Sequence, residues 1–348
     1  MTKEDIKETR LDNGLVVLTD RMPGVRSATL GFFFRVGARH EPAELNGISH
    51  FIEHTVFKGT SRRSALDIAI EQDRLGGNLE AFTTHEETGF AIKVIDDQVP
   101  KAFDLIADML IDPRFEEADL ESEQRVIIEE MKMIEDSPEE YLGEIFSEAF
   151  FAGHPLGLTI PGTPKTVGSF NHEITRKYHE DNYRASNLVI AAAGNIEHEK
   201  IVDLAEELFG NSSEKNQRPK IEDQKPVLSA PSIVKNNPNL EQAHVIIAAP
   251  FVSASDERRY AADLLANIIG GGTSSRLWQK VREERGLAYS VGASAVMHQD
   301  CGLFSIFAGT SPQQVTEVVD LAVAEMREVV VGVTENEMEL CKQQARAS

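Results

Sequence analysis

One order of elements reads twice along this 348-residue chain, and that duplication limits the folds open to it more than any single motif does. In the first half, residues 28–36 (ATLGFFFRV) have the short apolar and aromatic character of a strand. Helical patterns follow over 48–58 and 65–75, then strands over 79–84 and 89–94, a helix over 99–110, and a charged helix start from Phe115. The second half repeats the series: a strand over 243–249, helices over 255–269 and 274–284, and strands over 288–295 and 303–309. A helix over 312–330 and a last one starting at Thr334 complete it. Between the halves, 210–231 is rich in Pro, Asn, Ser and Lys and has no apolar period, so it reads as a linker. The expectation is two similar α+β domains, 1–209 and 232–348, joined by 210–231. After its charged helix the first half runs on from 125 to 209, whereas the second stops at Ser348, so the second domain reads as C-terminally truncated.

Charge narrows the class of partner. Asp and Glu number 57 against 35 Lys and Arg, a net charge of −22, which repels nucleic acid and anionic membranes. No stretch approaches the roughly 18–20 apolar residues needed to span a bilayer. The charged start, MTKEDIKETR, lacks the apolar core of a secretory signal, and a cytoplasmic setting is expected. The two cysteines, Cys301 and Cys341, stand apart and offer neither a disulfide framework nor a thiolate metal cage. Any metal must be held by histidine and carboxylate.

The segment His50-Phe-Ile-Glu-His54 meets that requirement. At i and i+4 on a helix, two imidazoles rise from one face a turn apart and reach a single ion. Glu53 lies on the flank of that face, where it can meet a water held by the metal. The order H-x-x-E-H reverses H-E-x-x-H, and both patterns serve zinc peptidases. Ile48, Phe51, Ile52, Val56 and Phe57 surround the motif, so this helix is expected to be largely buried and its polar groups to need partners. A catalytic zinc takes three protein ligands and keeps a fourth position open. The run from Leu120 to Ile134 is strongly helical, with an apolar stripe of Leu120, Ile127, Met131 and Ile134. Glu123 and Glu130 fall beside that stripe and Glu129 on the far side. Glu130 is thus the best-placed third ligand, with Glu123 supporting it, although the same phase suits two solvated glutamates at the stripe's edge.

Taken with the run Glu123-Gln-Arg-Val-Ile-Ile-Glu-Glu-Met131, the motif resembles those of the pitrilysin/insulinase family of inverted-motif zinc metallopeptidases. Further matches are Ser137-Pro-Glu-Glu-Tyr141, His154-Pro-Leu-Gly157 and Arg282-Glu-Glu-Arg-Gly-Leu-Ala-Tyr289. The resemblance runs from Leu11 to the C-terminus and points to the bacterial homologues of the mitochondrial processing peptidase β-subunit. It implies one Zn²⁺ per chain on His50, His54 and Glu130, Glu123 in support, and Glu53 as general base. It implies domains with mostly antiparallel sheets flanked by helices, two of which close as a clamshell over a peptide. Arg282 and Tyr289 would reach that peptide from the second domain. The family's edge-strand motif Asn-Ala-x-Thr reads Glu80-Ala81-Phe82-Thr83 here, a substrate-binding strand whose Glu80 brings a charge in place of an amide.

The function expected is zinc-dependent endoproteolysis of peptides or unstructured polypeptide segments, by a homodimer or a chain paired with a related subunit. The alternative is a non-catalytic or regulatory core subunit of a processing-peptidase-like complex, whose members lose the H-x-x-E-H set that is intact here. Gly270-Gly-Gly-Thr-Ser-Ser275 lacks the Lys of a phosphate-binding loop, and the other histidines have no partners at ligand spacing.

Overall fold

The computed structural model describes residues 6–210 and 233–347, so the linker expected over 210–231 lies outside the described residues except for Gly210. The chain divides into two compact units. One takes the described residues up to Met133 and those from Leu158 to Gly210; the other takes Ile134–Gly157 and those from 233 on. Both are α+β, as the element order implies.

The first unit is built on six strands: β1 (Ile6–Arg10), β2 (Val16–Arg21), β3 (Ser27–Phe34), β4 (Leu79–Thr83), β5 (Thr88–Ile95) and β6 (Leu188–Gly194). They lie in the order β1-β2-β6-β3-β5-β4, antiparallel throughout except for the parallel pair β2–β6. β3 shows why one face is covered: Ala28, Leu30, Phe32 and Phe34 alternate along it and are all buried. Burying each such large side chain contributes about 1.5–3 kcal/mol relative to leaving it in water. Packed into the same core are α1 (Ile48–Thr55), α2 (Ala65–Leu75), α3 (Val99–Ile111) and one stripe of α4 (Glu117–Asp136). The α4 stripe is Leu120, Ile127 and Met131. Next in the chain, α5 (Pro138–Phe150) belongs to the second unit. The short α6 (Pro164–Val167), then α7 (His172–Asn182) and α8 (His198–Phe209), complete the first.

The second unit has a three-stranded antiparallel sheet of β7 (Ala243–Phe251), β8 (Ala288–Met297) and β9 (Gly302–Thr310), with β9 in the middle. α9 (Arg259–Gly270), α10 (Val315–Val331) and α11 (Glu335–Ala347) flank it. Its core gathers Leu277, Val281, Phe304, Ile306 and Val318. A separate cluster packs Phe150, Phe151 and Leu156 on Leu303. That cluster ties the 134–157 segment to this unit and not to the sheet that precedes it in sequence. No described helix is long and apolar enough to cross a membrane.

α1 enters its buried position through Gly47, whose φ of 96° is left-handed and whose absent Cβ would lie 2.5 Å from the Pro161 carbonyl oxygen. Gly76, which ends α2 with φ 69°, has nothing within 4 Å of the same construction. Gly76→Ala should therefore cost only the backbone term, about 1 kcal/mol. Gly47→Ala adds a backbone collision and should cost about 2–4 kcal/mol. Denaturant midpoints of the two variants decide it: equal shifts would remove close packing as the reason for Gly47.

Candidate metal centre

α1 is short and enclosed, and it cannot cap its own N-terminus because the residue there is a glycine. Glu41 does so from outside the helix. Its buried carboxylate accepts the N–H of Gly47 at 2.7 Å, the N–H of Ser49 at 2.8 Å and the side-chain amide of Asn46 at 3.2 Å. Burial pushes this carboxyl up to about 7 against the opposing pull of the Ser49 and Gly47 hydrogen bonds. The helix that carries the motif is thus held at its first turn by a side chain six residues upstream.

One turn apart on α1, the His50 and His54 rings stand 4.6 Å apart, centroid to centroid. Both Nε2 atoms lie 3.7 Å from Oε2 of Glu130 on α4, and the three potential donor atoms are all within 4.8 Å of one another. At 3.7 Å neither imidazole is hydrogen-bonded to the carboxylate. Three electron-pair donors surround a space without bonding to each other. A tetrahedral zinc, with bonds of about 2.0–2.2 Å, places its ligand atoms about 3.3–3.5 Å apart; the two His–Glu130 distances of 3.7 Å are close to that spacing, and this donor set can close on such an ion. Among the described residues it is the one group of three His, Cys or carboxylate donors so arranged.

The protonation state of His50 suits that use. Burial, with His54 adding to it, lowers the His50 pKa to about 4, so its ring is neutral and offers a lone pair at neutral pH. Burial also opposes protonation of His54. The hydrogen bond to Glu123 and the charges of Glu53, Glu130 and Glu123 outweigh it and raise its pKa. Glu123 Oε2 lies 3.2 Å from His54 Nδ1, and Lys58 Nζ lies 2.6 Å from Glu123 Oε1. A hydrogen on Nδ1 turned to Glu123 leaves the Nε2 lone pair toward the space shared with His50 and Glu130. Burial raises the Glu123 carboxyl, but His54 and Lys58 prevail and hold it below the ordinary glutamate range. Lys58 and Glu41 are functional candidates that the sequence analysis did not single out. Lys58 lies at i+4 from His54, one turn on, and that spacing was the available signal.

Glu53 is buried beside this group, its Oε2 accepting the Thr83 hydroxyl at 2.7 Å. Burial raises its pKa most, Thr83 and His54 lower it, and Glu130 adds to the rise; the net direction is up. Thr83 ends β4, the outer strand of the sheet. Alternation puts Ala81 on the Thr83 face and Glu80 and Phe82 on the other, where Phe82 meets Phe33 at 6.3 Å. The Glu80 charge therefore leaves the strand away from Glu53. Glu129, as the helical phase implies, is exposed and pairs with Lys132 at 2.7 Å. Arg282 and Tyr289 lie in the second unit, in contact with each other: the guanidinium carbon is 4.7 Å from the centre of the tyrosine ring.

Fold and site together define a two-unit α+β protein with an inverted H-x-x-E-H helix facing a glutamate-bearing helix. Known proteins agree. Residues 16–164 match the family described as insulinase (peptidase family M16), and 169–345 match the peptidase M16 inactive domain. Uncharacterized zinc proteases of Streptomyces coelicolor and Bacillus subtilis are each 38% identical to the chain. The first aligns over 340 residues, 96% of this chain and 74% of the relative; the second over 346 residues, 99% and 83%. A protease from Helicobacter pylori superposes with a TM-score of 0.88 at 22% identity, covering 98% of this chain and 84% of that one. A peptidase M16 inactive domain from Pseudomonas fluorescens superposes with a TM-score of 0.84 at 18% identity, covering 99% and 84%. The chain belongs to the M16 (insulinase) peptidase family.

Two outcomes follow from this geometry. Glu130→Gln should remove most copurifying zinc, whereas Glu129→Gln should leave it unchanged; elemental analysis showing the reverse order would put the α4 donor one residue away. Lys58→Met frees Glu123 without touching a donor atom. It should weaken zinc binding by about 10–100-fold in a chelator competition. An unchanged affinity would mean that Glu123 orients His54 without help from Lys58.

Proposed function

We propose that this protein is a zinc-dependent endopeptidase acting on peptides or unstructured polypeptide segments. The observation that carries the reading is Glu53: a buried carboxylate with a raised pKa, anchored by Thr83, beside the converging donors His50, His54 and Glu130. These three residues would hold the metal, one zinc per chain. When bound, zinc lowers the pKa of water and polarises a carbonyl oxygen.

The rest of the chemistry belongs to the chain. Thr83 engages Oε2 of Glu53 and leaves Oε1 to accept a proton from the attacking water. Its raised pKa suits it to keep that proton and deliver it to the leaving amine. β4 has an unpaired outer edge among the described residues, so a peptide backbone can add to it as a further strand, affinity coming from main-chain hydrogen bonds. Arg282 and Tyr289 would act as donors to the peptide carbonyl where negative charge develops. The same reading takes a peptide as the partner, with no nucleic acid and no membrane, consistent with the net charge of −22. It also takes a cytoplasmic setting and either a homodimer or a pairing with a related subunit.

A second reading, a non-catalytic subunit, draws on the description of the 169–345 match as an inactive domain. The donor set and base lie wholly in the 16–164 match, so that description does not touch them. Glu53→Gln separates the two readings. The variant should keep its zinc and cleave a mixed peptide library about 10²–10⁴-fold more slowly than the parent protein. Equal cleavage by the two proteins would remove Glu53 as the base, and a zinc-loaded parent that cleaves nothing would favour the non-catalytic subunit.

A further inference from the structure

The chain's single tryptophan, Trp278, lies under the guanidinium of Arg282, whose central carbon is 4.1 Å from the centre of the indole and 4.7 Å from that of Tyr289. Trp278 is itself fixed: its Nε1 donates to Glu283 Oε1 at 3.1 Å. Arg282 donates from Nη1 to the backbone carbonyl of Tyr289 at 2.8 Å, and among the described residues it makes no ion pair with a carboxylate. In a chain with so large an acidic excess, an arginine held by two aromatic faces and one carbonyl keeps the rest of its donors for something else.

The backbone is irregular on both sides of this stack. Residues Trp278–Glu283 form a π-helical turn, with Glu284 N–H bonded to the Gln279 carbonyl at 2.9 Å, five residues back. β8 pairs with β9 through Ala288 and Ser290, and the register shifts between them, so Tyr289 is the extra residue of a bulge. π-turns and bulges both cost regular hydrogen bonding, and both recur where a side chain must be re-aimed. Here the wide turn carries Trp278 and Arg282, and the bulge turns out Tyr289, which is 77% exposed.

We propose that Trp278 is a positioning residue. Its indole face holds Arg282 flat against Tyr289 so that the free guanidinium donors meet the oxygen atoms of a bound peptide. The proposal rests on the peptidase reading above, since it gives Arg282 a peptide to act on. It adds that an aromatic face at 278 is required, not merely apolar volume.

The test uses the zinc-loaded full chain with Trp278→Leu and Trp278→Phe. Trp278→Leu should lower kcat for a fluorogenic peptide about tenfold with zinc content unchanged, and Trp278→Phe should restore most of it. A second readout needs no catalysis: acrylamide quenching of the lone tryptophan in Arg282→Ala, which should rise about twofold as the guanidinium uncovers one indole face. Trp278→Leu with wild-type kcat, Trp278→Phe as impaired as Trp278→Leu, or quenching unaltered in Arg282→Ala would each overturn the proposal. If Trp278→Leu fails to fold, the Phe variant and the quenching still decide it. A wild-type chain that binds zinc and cleaves no peptide would count against the peptidase reading, while the quenching result would still report on the stack.

Discussion

Burying α1 is the constraint from which the rest of the first unit follows. The helix is enclosed on nearly every side, yet three of its eight residues, His50, Glu53 and His54, are ionisable. A polar group without a partner in such a place costs several kcal/mol; the buried Nδ1 of His50 has no hydrogen-bond partner, and the other groups are answered from outside the helix. Glu41 answers the free N–H groups at its start, Thr83 answers Glu53, and Glu123 with Lys58 answers His54. These partners come from the loop before the helix, the outer strand β4, helix α4 and the turn after α1. Satisfying one short helix thereby fixes the edge of the sheet and the face of α4 relative to it. The elements that would serve substrate and metal are held by the same hydrogen bonds that make the helix tolerable in the core.

Much of this was legible from spacing. The i, i+4 histidines could only share a helix face, and the stripe Leu120–Ile127–Met131 set the phase that separates Glu130 from Glu129. Both follow from a local period, and local periods survive in a sequence. Three of the six strands in the first sheet were not read. β1 (IKETR) has no apolar alternation, and β6 (LVIAAAG) gains its place from long-range pairing with β2 and β3. Membership of 134–157 in the second unit was equally hidden, because it depends on Phe150, Phe151 and Leu156 meeting a leucine some 150 residues away. The Glu41 cap belongs to the same class: a carboxylate followed by Pro42 and an irregular loop carries no pattern that points to a helix end six residues on. The charge at Glu80 was legible, but its direction was not, since that depends on which face of β4 meets α1.

The second unit repeats the element order with different contents. Among the described residues it holds no group of three metal donors, and its notable features are backbone irregularities instead. A π-turn and a bulge leave no composition signal, because they are matters of register. They turn two unremarkable residues of the sequence, an arginine on a charged helix and a tyrosine opening a strand, into a stacked pair with exposed donors. The two units share an element order and differ in the side chains they bring together: converging electron-pair donors in one, and a guanidinium stacked on a tyrosine in the other.

Charge balance is the strongest argument for what the first unit could hold. Glu53, Glu123 and Glu130 bring three carboxylates close to two imidazoles, with Lys58 as the one ammonium paired to any of them. With neutral rings and ionised carboxylates the group carries a net charge of −2, partly out of water, where like charges repel strongly. The raised pKa of His54, which the Glu123 hydrogen bond and the charges of Glu53, Glu130 and Glu123 impose against burial, expresses that excess; that of Glu53 comes first from burial, with Glu130 adding to it. Protons relieve it only by spending the lone pair of an imidazole or the basic oxygen of Glu53. A divalent cation among His50, His54 and Glu130 would relieve the same excess without taking up the basic oxygen of Glu53. The arrangement that makes the residues alone uncomfortable is the one that would suit a doubly charged ion with a base beside it.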